Sequence, residues 1–128
     1  RDTEQQALLY SAADILVVPS LEDNLPQTGL EAMACGTPVV GFASGGVPDF
    51  VRPQQTGLLA ESGNPGDLAR QINWLVKHPQ DGRRMGHNAR IMIEREFAQE
   101  VQVARYVELY RRLLDEMPVS SGVGSRAA

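Results

Sequence analysis

The sequence predicts an α/β fold, a parallel sheet with flanking helices, and three observations lead there. Two short apolar runs, Ile15-Leu16-Val17-Val18 and Pro38-Val39-Val40-Gly41-Phe42, lack the polar alternation of a half-solvated strand. Such runs are typical of parallel strands buried on both faces. Between them lies a helix-compatible segment, so strand, helix and strand fit within thirty residues as a βαβ unit. The last third of the chain keeps helical spacing.

The elements follow in order. Thr3-Glu4-Gln5-Gln6 has the form of a capping box and opens a short helix to about Ala13. The first strand ends at Pro19-Ser20. Pro26 suits the first position of a helix that continues to Cys35, and Gly36 suits a left-handed stop after it. Gly45-Gly46 breaks the chain after the second strand, and Pro48 to Val51 reads as a helical turn. Gly57-Leu58-Leu59-Ala60 is a third short strand. Asn64 then caps a helix with Pro65 first and Asp67 in its first turn, and Leu68, Ile72 and Leu75 form its apolar face. Two more helices lie near 80–96 and 99–116, the second carrying Val103, Tyr106, Val107, Tyr110, Leu113 and Leu114 at helical spacing. Residues 1–117 form one domain, and the small, polar stretch 118–128 reads as a disordered tail. Three strands are few for a doubly wound sheet, so the chain reads as the back half of one, cut from something longer.

Composition excludes several classes. With 42% hydrophobic and 22% charged residues the chain builds an ordinary globular core. A net charge of −4 without a basic stripe argues against nucleic acid, whose phosphates need clustered cations. Cys35 is the single cysteine, which precludes an internal disulfide and fits a reducing, cytoplasmic setting. It reads as a small core residue, as Met33, Met85 and Met92 read as core fillers and Trp74 as a packing residue. His78 and His87 have no partners at metal-ligand spacing and read as surface residues.

The chemistry is concentrated between Pro19 and Phe50, PSLEDNLPQTGLEAMACGTPVVGFASGGVPDF. It puts a loop at the carboxyl end of a strand and feeds it into a helix N-terminus, where open α/β sheets bind ligands. Backbone N–H groups at Gln27 and Thr28, with the helix dipole, favour a phosphate there, and Thr28 adds a hydroxyl. Glu31 follows on the same helix face, roughly 5 Å along the axis, where a carboxylate suits a ribose diol. Phosphate and ribose so disposed describe a nucleotide diphosphate. The plainer alternatives are a solvated helix residue for Glu31, a local turn for Asp23 with Asn24, an ordinary first-turn residue for Thr28 and a simple turn for Gly45-Gly46. Asp49 suits the cap of a short helix.

In this stretch the chain resembles the retaining glycosyltransferases of two-Rossmann-domain (GT-B) architecture, group 1 or family 4 type. Those carry two acids separated by seven residues, then a helix ending A-C-G-T-P-V-V, then a Gly-Gly loop. Here Asp23 and Glu31 keep the spacing, followed by Glu31 to Val40 and by Gly45-Gly46-Val47-Pro48-Asp49. The likeness continues through Thr56-Gly57-Leu58-Leu59 and the helix after Asn64-Pro65, covering about residues 4 to 115. Each piece is weak alone, and their order makes them specific.

The resemblance implies a Rossmann-like donor domain that transfers a sugar from a nucleotide-diphosphate sugar with retention, needing no cofactor or metal. It implies Glu31 on the donor ribose and Asp23, the catalytic position, near the transferred sugar. Asn24, Gln27 and Thr28 would hold the diphosphate, and Gly45 and Gly46 would line the pocket. Two departures stand out. Asp23 replaces the usual Glu, with Glu22 beside it, and Leu25-Pro26 replaces an aromatic-Gly pair, which removes a backbone donor. The implied partners are the donor and an N-terminal acceptor-binding domain through which the enzyme would touch a membrane. The chain alone is expected to be inactive, and its first strand, lacking a neighbour, to pair two copies as a homodimer. A GT-B-fold sugar-nucleotide epimerase and a non-catalytic α/β interaction module are the alternatives.

Overall fold

A computed structural model describes residues 2–22, 27–97 and 101–116. Among these described residues six helices and three strands follow in the order α1 (Asp2–Ala12), β1 (Leu16–Val18), α2 (Gln27–Ala34), β2 (Val39–Phe42), α3 (Val47–Phe50), β3 (Gly57–Ala60), α4 (Pro65–Lys77), α5 (Pro79–Glu96) and α6 (Val101–Glu116). The tail 118–128 lies outside the described residues.

The strands form one parallel sheet in the order β1-β2-β3, with Leu16 opposite Val39 and Val39 opposite Gly57. All four residues of β2 are buried, as its continuous apolar run predicts. β1 departs from that expectation: Leu16 and Val17 are only half-buried. The cause is position, since among the described residues β1 has β2 as its one hydrogen-bonded neighbour.

Successive strand residues point to opposite faces and so feed two cores. Leu16, Val39 and Leu59 join Leu30, Met33, Phe50, Ile93 and Tyr106 on the face covered by α1, α2 and α6. Ile15, Val40 and Leu58 meet Leu68, Ile72, Trp74, Leu75 and Met85 on the α4 face. The expected apolar face of α4 is thus in place. Its cap is as the sequence suggests, with Asn64 Oδ1 accepting from Asp67 N at 3.0 Å and Pro65 at the first position.

Three local expectations are corrected. α1 already includes Asp2, so Thr3 stands inside the helix and does not cap it. The short helix after the glycine pair begins at Val47, capped by Gly46, so Asp49 lies in its first turn and is not its cap. Leu114 is 48% exposed, whereas Val103, Tyr106 and Val107 are buried. A step of about 100° per residue splits Leu113 and Leu114 to either side of the stripe, and Leu113 takes the core side. His78 is exposed, but its ring stacks on Trp74 with centroids 4.0 Å apart.

Candidate functional site

At the carboxyl ends of β1 and β2 the chain leaves the sheet through 19–22 and 43–46. Gln27 and Thr28 form the first turn of α2, and both are exposed. Helix geometry leaves first-turn N–H groups without intrahelical acceptors, and the macrodipole makes that end electropositive. Asp23, Asn24, Leu25 and Pro26 lie outside the described residues. Gly45 is exposed with φ +59°, a left-handed conformation that favours glycine, while Gly46 is buried. Ser44 places a buried Oγ beside this pair without a hydrogen-bond partner among the described residues. A serine in a glycine-rich turn carries no sequence signal of that burial.

Glu31 is not the solvated helix residue of the plainer alternative. It is 5% exposed, one turn beyond the exposed Gln27, because α1 and α6 pack over the second turn of α2. The Tyr10 hydroxyl donates to Glu31 Oε1 at 3.3 Å. The Tyr10 ring lies 6.0 Å from that of Tyr106, tilted by 49°, and the Tyr106 hydroxyl donates to Gln6 Oε1. Burial first, and then the Glu31 charge, push both tyrosines up to about 12. Burial likewise lifts the Cys35 thiol to about 12, which keeps it neutral and makes it the inert core residue its context suggests. The sequence offered one signal for this polar cluster: Tyr106 within the α6 stripe, a pattern that otherwise denotes packing.

Beyond Glu31 the stretch becomes a lock. Gly36 ends α2 at φ +82°, its N–H bonding Met33 O at 2.9 Å, as its position in the sequence suggests. Thr37 Oγ1 donates to the carbonyl of Tyr10, and the Leu16 N–H donates to Pro38 O at 3.0 Å. α5 closes on this corner so tightly that a Cβ at Gly86 would lie 2.1 Å from Gly36 O. A cavity of about 440 Å³ opens nearby, lined by Ile15, Gly36, Pro38, Arg83 and Arg90 among others. It sits at the amino ends of the strands, opposite the first turn of α2. Among the described residues no cluster of His, Cys, Asp or Glu is placed to hold a metal ion, and no helix is long and apolar enough to cross a membrane.

The family model for glycosyl transferases group 1 matches residues 1–92. The chain belongs to that family. A D-inositol 3-phosphate glycosyltransferase of Streptomyces bingchenggensis is 37% identical over 101 residues, 79% of this chain and 22% of the relative. An N-acetyl-alpha-D-glucosaminyl L-malate synthase of Bacillus anthracis is 33% identical over 84% of this chain and 28% of its own length. The group 1 chain therefore spans about a quarter of the length of the curated relatives it matches. Among solved structures, the sucrose-phosphate synthase of Thermosynechococcus elongatus superposes with a TM-score of 0.72 at 36% identity, over 88% of this chain and 28% of that one. HepE of Anabaena, solved in complex with UDP-glucose, gives 0.66 at 25% identity over 85% and 29%. The Rossmann-like α/β arrangement of GT-B glycosyltransferases is thus the fold of this group 1 domain.

Proposed function

We propose that this chain is the donor-binding region of a glycosyltransferase that moves a sugar from a nucleotide diphosphate to an acceptor with retention. One observation carries the reading: the exposed first turn of α2 stands at the carboxyl ends of a parallel sheet, within the group 1 motif. Gln27 and Thr28, with Asn24, receive the diphosphate, and Glu31 receives the ribose. Asp23 approaches the transferred sugar, and Gly45 and Gly46 line the pocket. The diphosphate is the leaving group, so stabilising its developing charge at the α2 N-terminus is the contribution of this region to catalysis. The UDP-glucose bound to HepE supports a nucleotide-sugar donor. Acceptor contacts, any peripheral membrane contact and a cytoplasmic setting belong to the same reading, with the acceptor side supplied by a further domain.

Isothermal titration with UDP-, GDP- and ADP-sugars tests it. Saturable binding that a Thr28→Ala, Gln27→Ala double variant weakens is the expected outcome, and equal affinity in that variant would place the donor elsewhere. In an assay of the longer enzyme, NMR of the first-formed product should show a retained anomeric centre, and an inverted one would remove the reaction type.

The half-buried edge of β1 supports pairing of two copies of this chain. Light scattering should then give a dimer that Val17→Lys converts to monomer; a wild-type monomer at all micromolar concentrations would end that idea.

A further inference from the structure

Glu31 is a carboxylate in the wrong surroundings for an ordinary helix residue. It lies almost wholly inside the chain, and a glutamate has three side-chain torsions to fix before it can present its oxygens to anything. One partner that helps to fix it comes from α1. Tyr10 donates to Oε1 at 3.3 Å, and Tyr10 is itself held at two points. Its carbonyl accepts from Thr37 Oγ1, and its ring packs at 6.0 Å against Tyr106 of α6. Thr37 belongs to the turn that ends α2, so a short relay runs from the end of that helix, through Tyr10, back to the carboxylate in its second turn.

Resting on the reading of Glu31 as the ribose acceptor, we propose that Tyr10 is a positioning residue for the donor: its hydroxyl sets the Glu31 carboxylate in the orientation that receives the ribose hydroxyls. A carboxylate accepts at about four lone-pair positions, and the bond from Tyr10 occupies one of them. Preorganisation of this kind lowers the cost of ordering a contact at the moment of binding. Among the described groups that feel the Glu31 charge are Tyr10 of α1, Cys35 after α2 and Tyr106 of α6. All three stay neutral through the physiological range, since burial first lifts each to about 12. The hydroxyl thus remains a donor wherever the protein works.

A double-mutant cycle on nucleotide affinity tests this, with UDP, GDP and ADP as probes and thermal unfolding followed for every variant. Tyr10→Phe removes the hydroxyl and keeps the ring, and it should weaken binding of the preferred nucleotide roughly five- to tenfold, as expected for one net hydrogen bond. Glu31→Gln should weaken it at least as much, and the double variant should be no weaker than Glu31→Gln alone. Tyr106→Phe, which loses a bond to Gln6 instead, should lower the unfolding temperature and leave affinity unchanged. Full affinity in Tyr10→Phe, losses that multiply in the double variant, or an equal loss in Tyr106→Phe would each overturn the positioning role. Unchanged affinity in Glu31→Gln would instead remove Glu31 from the site, and no binding by the wild type would remove the donor reading itself.

Discussion

The two halves of the stretch from Pro19 to Phe42 do opposite things. Among the described residues up to Thr28, Pro19, Leu21, Glu22, Gln27 and Thr28 are exposed at the carboxyl end of the sheet. From Gly29 to Phe42 it is interior: apart from the half-buried Gly36, each residue is buried, with α5 and α6 closed around it. Read as a string, both halves carry the same family signature. Read as a structure, the described residues of the first half face solvent and the second half is packed inside. A motif's specificity therefore does not show that each of its residues touches substrate. Much of A-C-G-T-P-V-V is there because a helix must stop, turn and enter a central strand in very little space.

The largest effect expected from breaking this division is at its locked end. Gly86 of α5 passes so close to Gly36 that an added Cβ would lie 2.1 Å from the Gly36 carbonyl oxygen and 3.2 Å from the Pro38 ring. The opposing atom is backbone and cannot swing aside. Gly86→Ala should therefore destabilise the chain by about 3 kcal/mol or more, at the upper end of overpacking costs. Urea unfolding followed by circular dichroism measures it. The exposed end supplies the contrast, because Gln27→Ala and Thr28→Ala should change stability by no more than about 0.5 kcal/mol. A Gly86→Ala protein as stable as the wild type would show that α5 does not seat on this corner in solution.

The same division explains what was legible in the sequence. The parallel sheet, the three strands, the Gly36 stop and the Asn64 cap follow from apolar runs and from residues with special backbone or capping chemistry. Those signals are local, and the structure agrees with them. The half-buried state of Leu16 and Val17 depends on whether β1 has a second neighbour, which no local pattern encodes. Glu31 shows the limit at the candidate site. Helical spacing places it on one face with Gln27, and that spacing is correct, yet one turn separates an exposed side chain from one that is 5% exposed. What decides between them is the crossing of α1 and α6, more than twenty residues away on one side and about seventy on the other. The exposed state of Leu114 has the same kind of origin, since periodicity defines a stripe but not where its cover ends.

A smaller effect, absent at neutral pH, separates the halves by their protons. The three groups raised by burial, Tyr10, Cys35 and Tyr106, all face the interior half; none lies between Pro19 and Thr28 among the described residues. In the unfolded chain a cysteine ionises near 9 and a tyrosine near 10, whereas burial holds all three at about 12 in the folded one. Above pH 9 the unfolded state therefore loses protons that the folded state keeps, and linkage favours unfolding. Their contribution to stability is complete below pH 9 and declines as pH rises toward 12. The unfolding temperature should accordingly stay level from pH 7 to 9 as far as these groups are concerned, then fall. Tyr106→Phe removes one of the titrating groups and should shallow that fall, even though it starts from a lower plateau for want of the bond to Gln6. The lower plateau and the shallower slope are separate readouts, so a loss of packing cannot imitate the loss of a proton. An unfolding temperature that stays constant from pH 9 to 11.5 would mean that the tyrosine hydroxyls and the thiol are solvated. The interior half of the stretch would then be as open as the first.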